Sequence, residues 1–298
     1  MRILVTGASG FIGREACTEA VRRGHQVLAI VRGHAGGGLP PEVATASGSL
    51  ESVPWQEIGE FMPDAVLHLA WITQPGVYLH SDENERLLEA SREFLGRCLA
   101  MGVSHIAVAG TCLEYQSAAE PLDEETSALA DPFPYVRAKR QLWNWLKVET
   151  AGGLTAASWL RIFYPYGPGE HERRLPTLIM RQLATGQKIQ LRTPDSVKDY
   201  VYVTDLASAI CEVLEHRLAG PVNLGSGAGI RIHDLALKIA RAMNVESSLV
   251  EAAPVPDHDP WPHHVAGMSR LENIGWKPQV SVDDGVHRLL ASLSLPVA

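Results

Sequence analysis

Cysteine is scarce in this 298-residue sequence, and no cysteine stands near another. Cys17, Cys98, Cys112 and Cys211 make no C-x-x-C pair and no disulfide-scaffold spacing, so they read as free thiols in a reducing compartment. Long apolar runs are missing too: none approaches the ~20 residues a membrane span needs. The chain opens directly into "RILVTG", with no basic segment, long apolar core and cleavage site ahead of it. It is therefore expected to be soluble and cytoplasmic, with no membrane partner. Positive charge is also in deficit. A net charge of −8 argues against nucleic acid as a partner, although a local arginine cluster can still hold a small anion. What remains is an ordinary globular composition, 46% apolar and 20% charged, long enough for one large domain or two modest ones.

The apolar residues that are present come in short runs. "RILVT" (2–6) stops at Gly7 and has the length and branching of a strand buried on both faces. "FIGREACTEAVRRGH" follows with helical spacing, placing Ile12, Ala16 and Ala20 on one side and Gly24 at the C-terminal cap. Further strands are expected at 26–31, 65–70, 105–110 and 156–163, with helices at 83–101 and 135–150. Strand alternating with helix predicts a parallel sheet covered by helices on both faces. Beyond about residue 165 the elements shorten: a helix at 176–186, strands near 189–192 and 200–203, and helices at 205–217 and 232–243. "RGHAGGGLPPE" (32–42) reads as a surface loop.

"TGASGFIG" places Gly7, Gly10 and Gly13 between the first strand and the first helix, the context a dinucleotide loop requires. Gly7 permits the turn, Gly10 lets the backbone approach a pyrophosphate, and Gly13 allows close helix packing. The helix N-terminus supplies unpaired N–H groups for that anion. The second strand ends in Val31 and Arg32, where an acidic residue would bind an NAD ribose. An arginine can instead meet a 2′-phosphate, so NADP(H) is favoured and NAD(H) is the alternative. "FPYVRAKRQ" (133–141) sets Tyr135 and Lys139 four apart, one helical turn from each other. By itself that spacing is common on solvated helix faces.

With the glycine loop in place, the chain resembles an extended short-chain dehydrogenase/reductase, the family of nucleotide-sugar epimerases, dehydratases and reductases. The resemblance runs from end to end through "TGASGFIG", "VLHLAW", "AGTCLEY", "YVRAK", "RIFYPYGPG", "KDYVYVTDLA", "VNLGSG" and "IGWKP", in that order. It implies a Rossmann doubly wound sheet over 1–165, rejoined around 197–225, with a smaller α/β substrate domain over 166–298. It makes Tyr135 the acid/base, Lys139 its partner and ribose ligand, and Thr111 the hydroxyl on the substrate oxygen. Ser9, Phe11, Ile12, Leu69, Ala70 and Tyr164 join the glycines and Arg32 around the cofactor. Cys112, Arg174, Arg192, Lys198 and Arg231 are candidates for the nucleotide-diphosphate sugar. Tyr164 and Gly267 depart from residues common in the family.

The accessory groups narrow the reaction. Thr111 is followed by Cys112 and Leu113 rather than the dehydratase Asp–Glu pair, and Glu114 lies one position too late. Cys112 and His171 are read as a packed thiol and a loop histidine rather than the extra acid/base pair of a deprotonating epimerase. The expectation is therefore NADPH-dependent reduction of a nucleotide-linked 4-keto-6-deoxyhexose. A nucleotide-sugar epimerase is the alternative, and a cofactor-binding regulatory protein without turnover is the third reading. "DHDPWPHH" (257–264) is taken as a substrate-side loop, with no metal. Leu87, Leu88, Phe94, Leu95 and Leu99 with Leu142, Trp143, Trp145 and Leu146 look like more apolar surface than one sheet face needs. A homodimer through a four-helix bundle is expected, as in the resembling family.

Overall fold

A computed structural model describes residues 1–33, 37–255 and 257–295. Residues 34–36, inside the expected Gly/Pro loop, and residues 256 and 296–298 of the expected substrate domain lie outside them. The first part of the chain runs β1 (Arg2–Thr6), α1 (Phe11–Arg22), β2 (Gln26–Val31), β3 (Ala44–Ser47) and α2 (Trp55–Phe61). It continues through β4 (Ala65–His68), α3 (Glu83–Ala100), β5 (His105–Ala109), α4 (Pro134–Glu149) and β6 (Ala156–Ile162). Then come β7 (Tyr164–Tyr166), α5 (Leu175–Ala184), β8 (Ile189–Leu191), β9 (Val197–Tyr202), α6 (Val203–Glu215) and β10 (Gly220–Leu224). Last are β11 (Gly229–Arg231), α7 (Ile232–Ala242), β12 (Val250–Ala252), β13 (His263–His264), α8 (Ser269–Glu272) and α9 (Val282–Ser292). No helix among the described residues is long and apolar enough to cross a membrane.

Seven strands form one sheet in the order β10-β6-β5-β4-β1-β2-β3, every pair parallel. Alternation along β1 shows how both faces are covered. Ile3 and Val5 pack with Ala16, Cys17 and Ala20 of α1 and with Leu206 and Ile210 of α6. Leu4 packs on the other side with Leu88, Phe94 and Leu95 of α3 and Leu142 and Leu146 of α4. Successive side chains of a strand point to opposite faces, so unbroken apolar runs belong to a two-sided core. The expected doubly wound α/β fold is present.

Several elements went unread in the sequence. β3 and α2 were not expected, nor were β7, β11, β12, β13 and α9. Of the segment 197–225, only β10 joins the large sheet as a strand. β9 lies in a second sheet of order β11-β9-β13, with β7 also on β9, and β8 pairs with β12. These small sheets share a separate core with α5, α7 and α9. The surplus apolar face expected on α3 and α4 is mostly consumed within the chain. Leu88, Phe94, Leu95, Leu142, Trp143 and Leu146 are buried, because the two helices pack against each other and on the sheet. Leu87, Leu99 and Trp145 alone of that set are half-buried.

Candidate active site

Where β1 and β4 lie side by side, the chain leaves in opposite directions across the sheet, and a crevice opens at the strands' C-terminal ends. A cavity of about 890 Å³ occupies it. Its lining includes Gly7, Ser9, Gly10, Phe11, Ile12, Gly13, Arg32, Leu69, Ala70, Thr111, Tyr135, Lys139 and Tyr164, together with Cys112 and Arg174. Arg192, Lys198 and Arg231, expected on the substrate, do not line it. Arg192 pairs with Asp257 at 3.0 Å, and Arg231 with Asp234 at 2.8 Å. Lys198 is buried, with Nζ on Asp259 at 2.7 Å and on the Trp261 carbonyl. The "DHDPWPHH" stretch thus supplies Asp257 to Arg192, Asp259 to Lys198 and its last two residues to β13.

The glycine loop has no room for side chains. Gly7 takes φ +71°, and a Cβ there would lie 2.8 Å from the Ala70 nitrogen. A Cβ on Gly13 would sit 2.2 Å from the Gly7 carbonyl oxygen. α1 therefore starts tight against the end of β1. No side chain caps it, and its first turn carries no acid, so its N–H groups and positive dipole end are free to receive an anion. These features fit the pyrophosphate of a dinucleotide. Arg32 is exposed at the rim, beyond buried Val31.

Tyr135 and Lys139 share the buried face of α4, which starts cleanly because extended Phe133 caps it and Pro134 occupies its first turn. Lys139 is 2% exposed, and its Nζ donates to the Ala109 carbonyl at 2.8 Å. Burial lowers its ammonium to about 7, while the Glu114 charge opposes the fall. Burial pushes the Tyr135 phenol upward, as does the Tyr78 phenol, and hydrogen bonding with Thr111 pulls it back. Tyr78 meets Tyr135 edge to face at 4.9 Å.

Thr111 sits at the head of a 3-10 turn, Cys112–Glu114. Its Oγ1 accepts from the Leu113 N–H at 3.2 Å, and its own N–H donates to Glu114 Oε1 at 3.3 Å. Glu114 points into the core rather than the cavity. Trp159 Nε1 donates to Oε1 at 2.6 Å and Arg161 Nε to Oε2 at 3.2 Å. Gly110 makes this contact possible, since a Cβ there would lie 2.5 Å from Trp159 Nε1. Burial pushes the Glu114 carboxyl up, and Arg161, Trp159 and the Thr111 N–H draw it back. Cys112 does face the cavity, but burial pushes its thiol far above the ordinary value. It is a poor base there.

Trp71, Asn84, Glu114 and Arg161 shape this site and were not singled out for it in the sequence. Trp71, Glu114 and Arg161 stood inside the quoted segments "VLHLAW", "AGTCLEY" and "RIFYPYGPG", while Asn84 carried no signal. The two departures from family residues also find places. Tyr164 Oη lies 3.4 Å from His264 Nδ1, and a Cβ on Gly267 would lie 2.9 Å from the Leu122 carbonyl.

Comparison with known proteins agrees with this geometry. A model described as the NAD dependent epimerase/dehydratase family matches residues 3–225. A UDP-glucose 4-epimerase of Corynebacterium glutamicum is 27% identical, over 94% of this chain and 91% of its own. A dTDP-6-deoxy-L-talose 4-dehydrogenase (NAD(+)) of Aggregatibacter actinomycetemcomitans is 26% identical, over 76% of this chain and 85% of its own. The UDP-glucose 4-epimerase of Thermus thermophilus, solved in complex with NAD, has the same fold, with a TM-score of 0.81, 24% identity and 98% of each chain covered. A glycine loop at the end of β1, a tyrosine and a lysine on the buried face of α4, and a family match spanning most of the chain agree on one conclusion. This chain belongs to the NAD dependent epimerase/dehydratase family.

Proposed function

We propose that the chain is a nucleotide-sugar 4-epimerase with a dinucleotide cofactor and a single acid/base, Tyr135. The observation that carries this reading is that neither Cys112 nor Glu114, the two groups that follow Thr111, offers Tyr135 a second acid/base on the sugar. Cys112 is held as a thiol, and Glu114 is turned into the core. Elimination or deprotonation at carbon would need such a group; hydride removal and return at one carbon does not. The likeness to a 4-epimerase over nearly the whole of both chains supports the same choice. A reductase needs no second acid/base either, so this likeness is what sets the epimerase ahead of it.

A nicotinamide, when bound, accepts a hydride in its oxidised form and donates one in its reduced form. Gly7, Gly10 and Gly13 would hold its pyrophosphate against the start of α1, and Lys139 its ribose hydroxyls. Tyr135 Oη would take the proton of the sugar hydroxyl as that oxygen becomes a carbonyl, and give it back afterwards. Thr111 Oγ1 would donate to the same oxygen. A charged Lys139 beside the phenol favours phenolate and so eases the transfer, against the burial that raises it.

NADPH-dependent reduction of a 4-keto-6-deoxy sugar is favoured by one observation, Arg32 at the cavity rim with no acid at the end of β2. The homodimer remains part of the proposal, with Leu87, Leu99 and Trp145 as the apolar remainder on α3 and α4. The test is a panel of UDP-, dTDP-, GDP- and CDP-hexoses, incubated with NAD or NADPH while product and cofactor absorbance are followed. The expected result is a pair of epimers at constant absorbance, with Tyr135→Phe slower by ~10²-fold or more. Stoichiometric loss of NADPH on adding a 4-keto sugar would establish the reductase instead.

A further inference from the structure

We propose that Trp71 is a positioning residue for Lys139: its indole, anchored by Asn84, keeps the lysine side chain charged and turned toward the cavity. The proposal rests on the reading of Lys139 as the partner of Tyr135.

The geometry is specific. Lys139 Nζ lies 3.8 Å from the centroid of the Trp71 ring, well inside the range in which an ammonium is attracted to an aromatic face. The same nitrogen donates to the Ala109 carbonyl at 2.8 Å. The ammonium thus has a carbonyl and a ring as partners, both neutral. The ring is itself fixed. Trp71 Nε1 donates to Asn84 Oδ1 at 2.8 Å, and Asn84 is fully buried. Asn84 Nδ2 in turn donates to the Tyr78 carbonyl at 2.7 Å and the Ser81 carbonyl at 2.8 Å. One amide thus ties down the loop that delivers Trp71 to Lys139 and Tyr78 to Tyr135. The loop is also pinned to α4, where the Tyr135 N–H donates to the Leu79 carbonyl at 3.2 Å.

The charged and titratable groups around Lys139 leave this contact a role. Glu114 of the 3-10 turn favours the ammonium, but its carboxylate is shared among Thr111, Trp159 and Arg161. Tyr135 precedes Lys139 by one turn, its ring 5.9 Å from Nζ, and burial holds the phenol protonated. His68 of β4 is kept neutral by burial, with Lys139 adding to that effect. A lysine brought down to about 7 is balanced between its two forms at neutral pH. The face of an electron-rich ring favours the cation, and its removal favours the neutral amine.

The test reads Lys139 directly in the ligand-free protein. The chain has six lysines, so labelling their ε-carbons with ¹³C gives a resolvable set of resonances, with Lys139 assigned by its loss in Lys139→Arg. Each sample is titrated with pH. A ring-fluorinated tryptophan placed at position 71 keeps the size and burial of the indole while withdrawing charge from its face. Trp71→Phe gives a second, independent weakening. The Lys139 midpoint is expected to fall by about 0.5–1.5 pH units with the fluorinated ring, and to fall also in Trp71→Phe. A midpoint that stays put or rises with the fluorinated ring would overturn the proposal and leave Trp71 as packing. No substrate or cofactor enters the measurement, so its failure leaves the epimerase reading standing.

Discussion

Arg32 carries the NADP(H) preference proposed with the reductase reading. It is delivered to the cavity rim by the end of β2, exposed and with no acidic neighbour in sequence. A guanidinium there meets a 2′-phosphate with charge-assisted hydrogen bonds and has nothing comparable to offer a bare ribose hydroxyl. Tighter binding of NADPH than NADH is expected, and Arg32→Ala is expected to remove about 1.5–3 kcal/mol of that preference. Calorimetric titration of both cofactors into both proteins checks it, and equal affinities in the unmodified protein would remove Arg32 from the site. At this scale the sequence was informative where chemistry is local. Tyr135 and Lys139 are one helical turn apart, and the three glycines fall between the end of β1 and the first turn of α1. Trp71, Asn84 and Glu114 were not legible as supports. Their partners sit on other elements, and nothing in "LHLAW" or "TCLEY" says which way those side chains turn.

At the scale of elements, the loop between β1 and α1 leaves no room for a side chain on Gly7 or Gly13. A Cβ on Gly13 would overlap the Gly7 carbonyl and the Ala8 backbone, at 2.2 and 2.7 Å, and backbone cannot swing aside as a side chain can. Gly13→Ala is expected to push α1 away from β1 and weaken NAD(P) binding by at least ~10-fold, since the anion's N–H donors move with the helix. Thermal shift with and without cofactor reports it; a shift equal to that of the unmodified protein would show that the loop adapts. The long buried strands and amphipathic helices were readable because each carries its own period. β3 was not. "ATAS" is short and exposed at the sheet edge except for Ala46, with no apolar run to mark it. β7, β11 and β13 owe their existence to pairing with β9, and a strand of two or three residues has too few side chains to show alternation.

At the scale of the whole molecule, His68, His105 and His264 are buried histidines that each weaken the fold as pH falls. Burial lowers His68 to about 3, His105 to about 4 and His264 to about 3, from an ordinary value near 6.5. Groups depressed in this way are neutral in the fold and charge first in the unfolded chain. Their stability is complete above pH ~6.5 and is lost as pH falls toward the folded values, by up to ~1.4 kcal/mol per histidine per unit. Buried carboxyls such as Asp199, raised by burial, work the opposite way. His68→Gln isolates one term, because the carboxyls are common to both proteins. The stability of the unmodified protein relative to that variant is expected to decline below pH ~6.5 in urea unfolding; a constant difference would mean that His68 charges within the fold.

The central claim is that a hydride leaves one sugar carbon and returns to the same carbon, with Tyr135 as the only acid/base. A nucleotide hexose carrying deuterium at carbon 4 tests it most directly, in unlabelled water with catalytic amounts of cofactor. The expected product is the 4-epimer with the deuterium retained at carbon 4, and no product with Tyr135→Phe on the same time scale. Loss of the label to solvent, or its stoichiometric appearance on released cofactor, would contradict the claim.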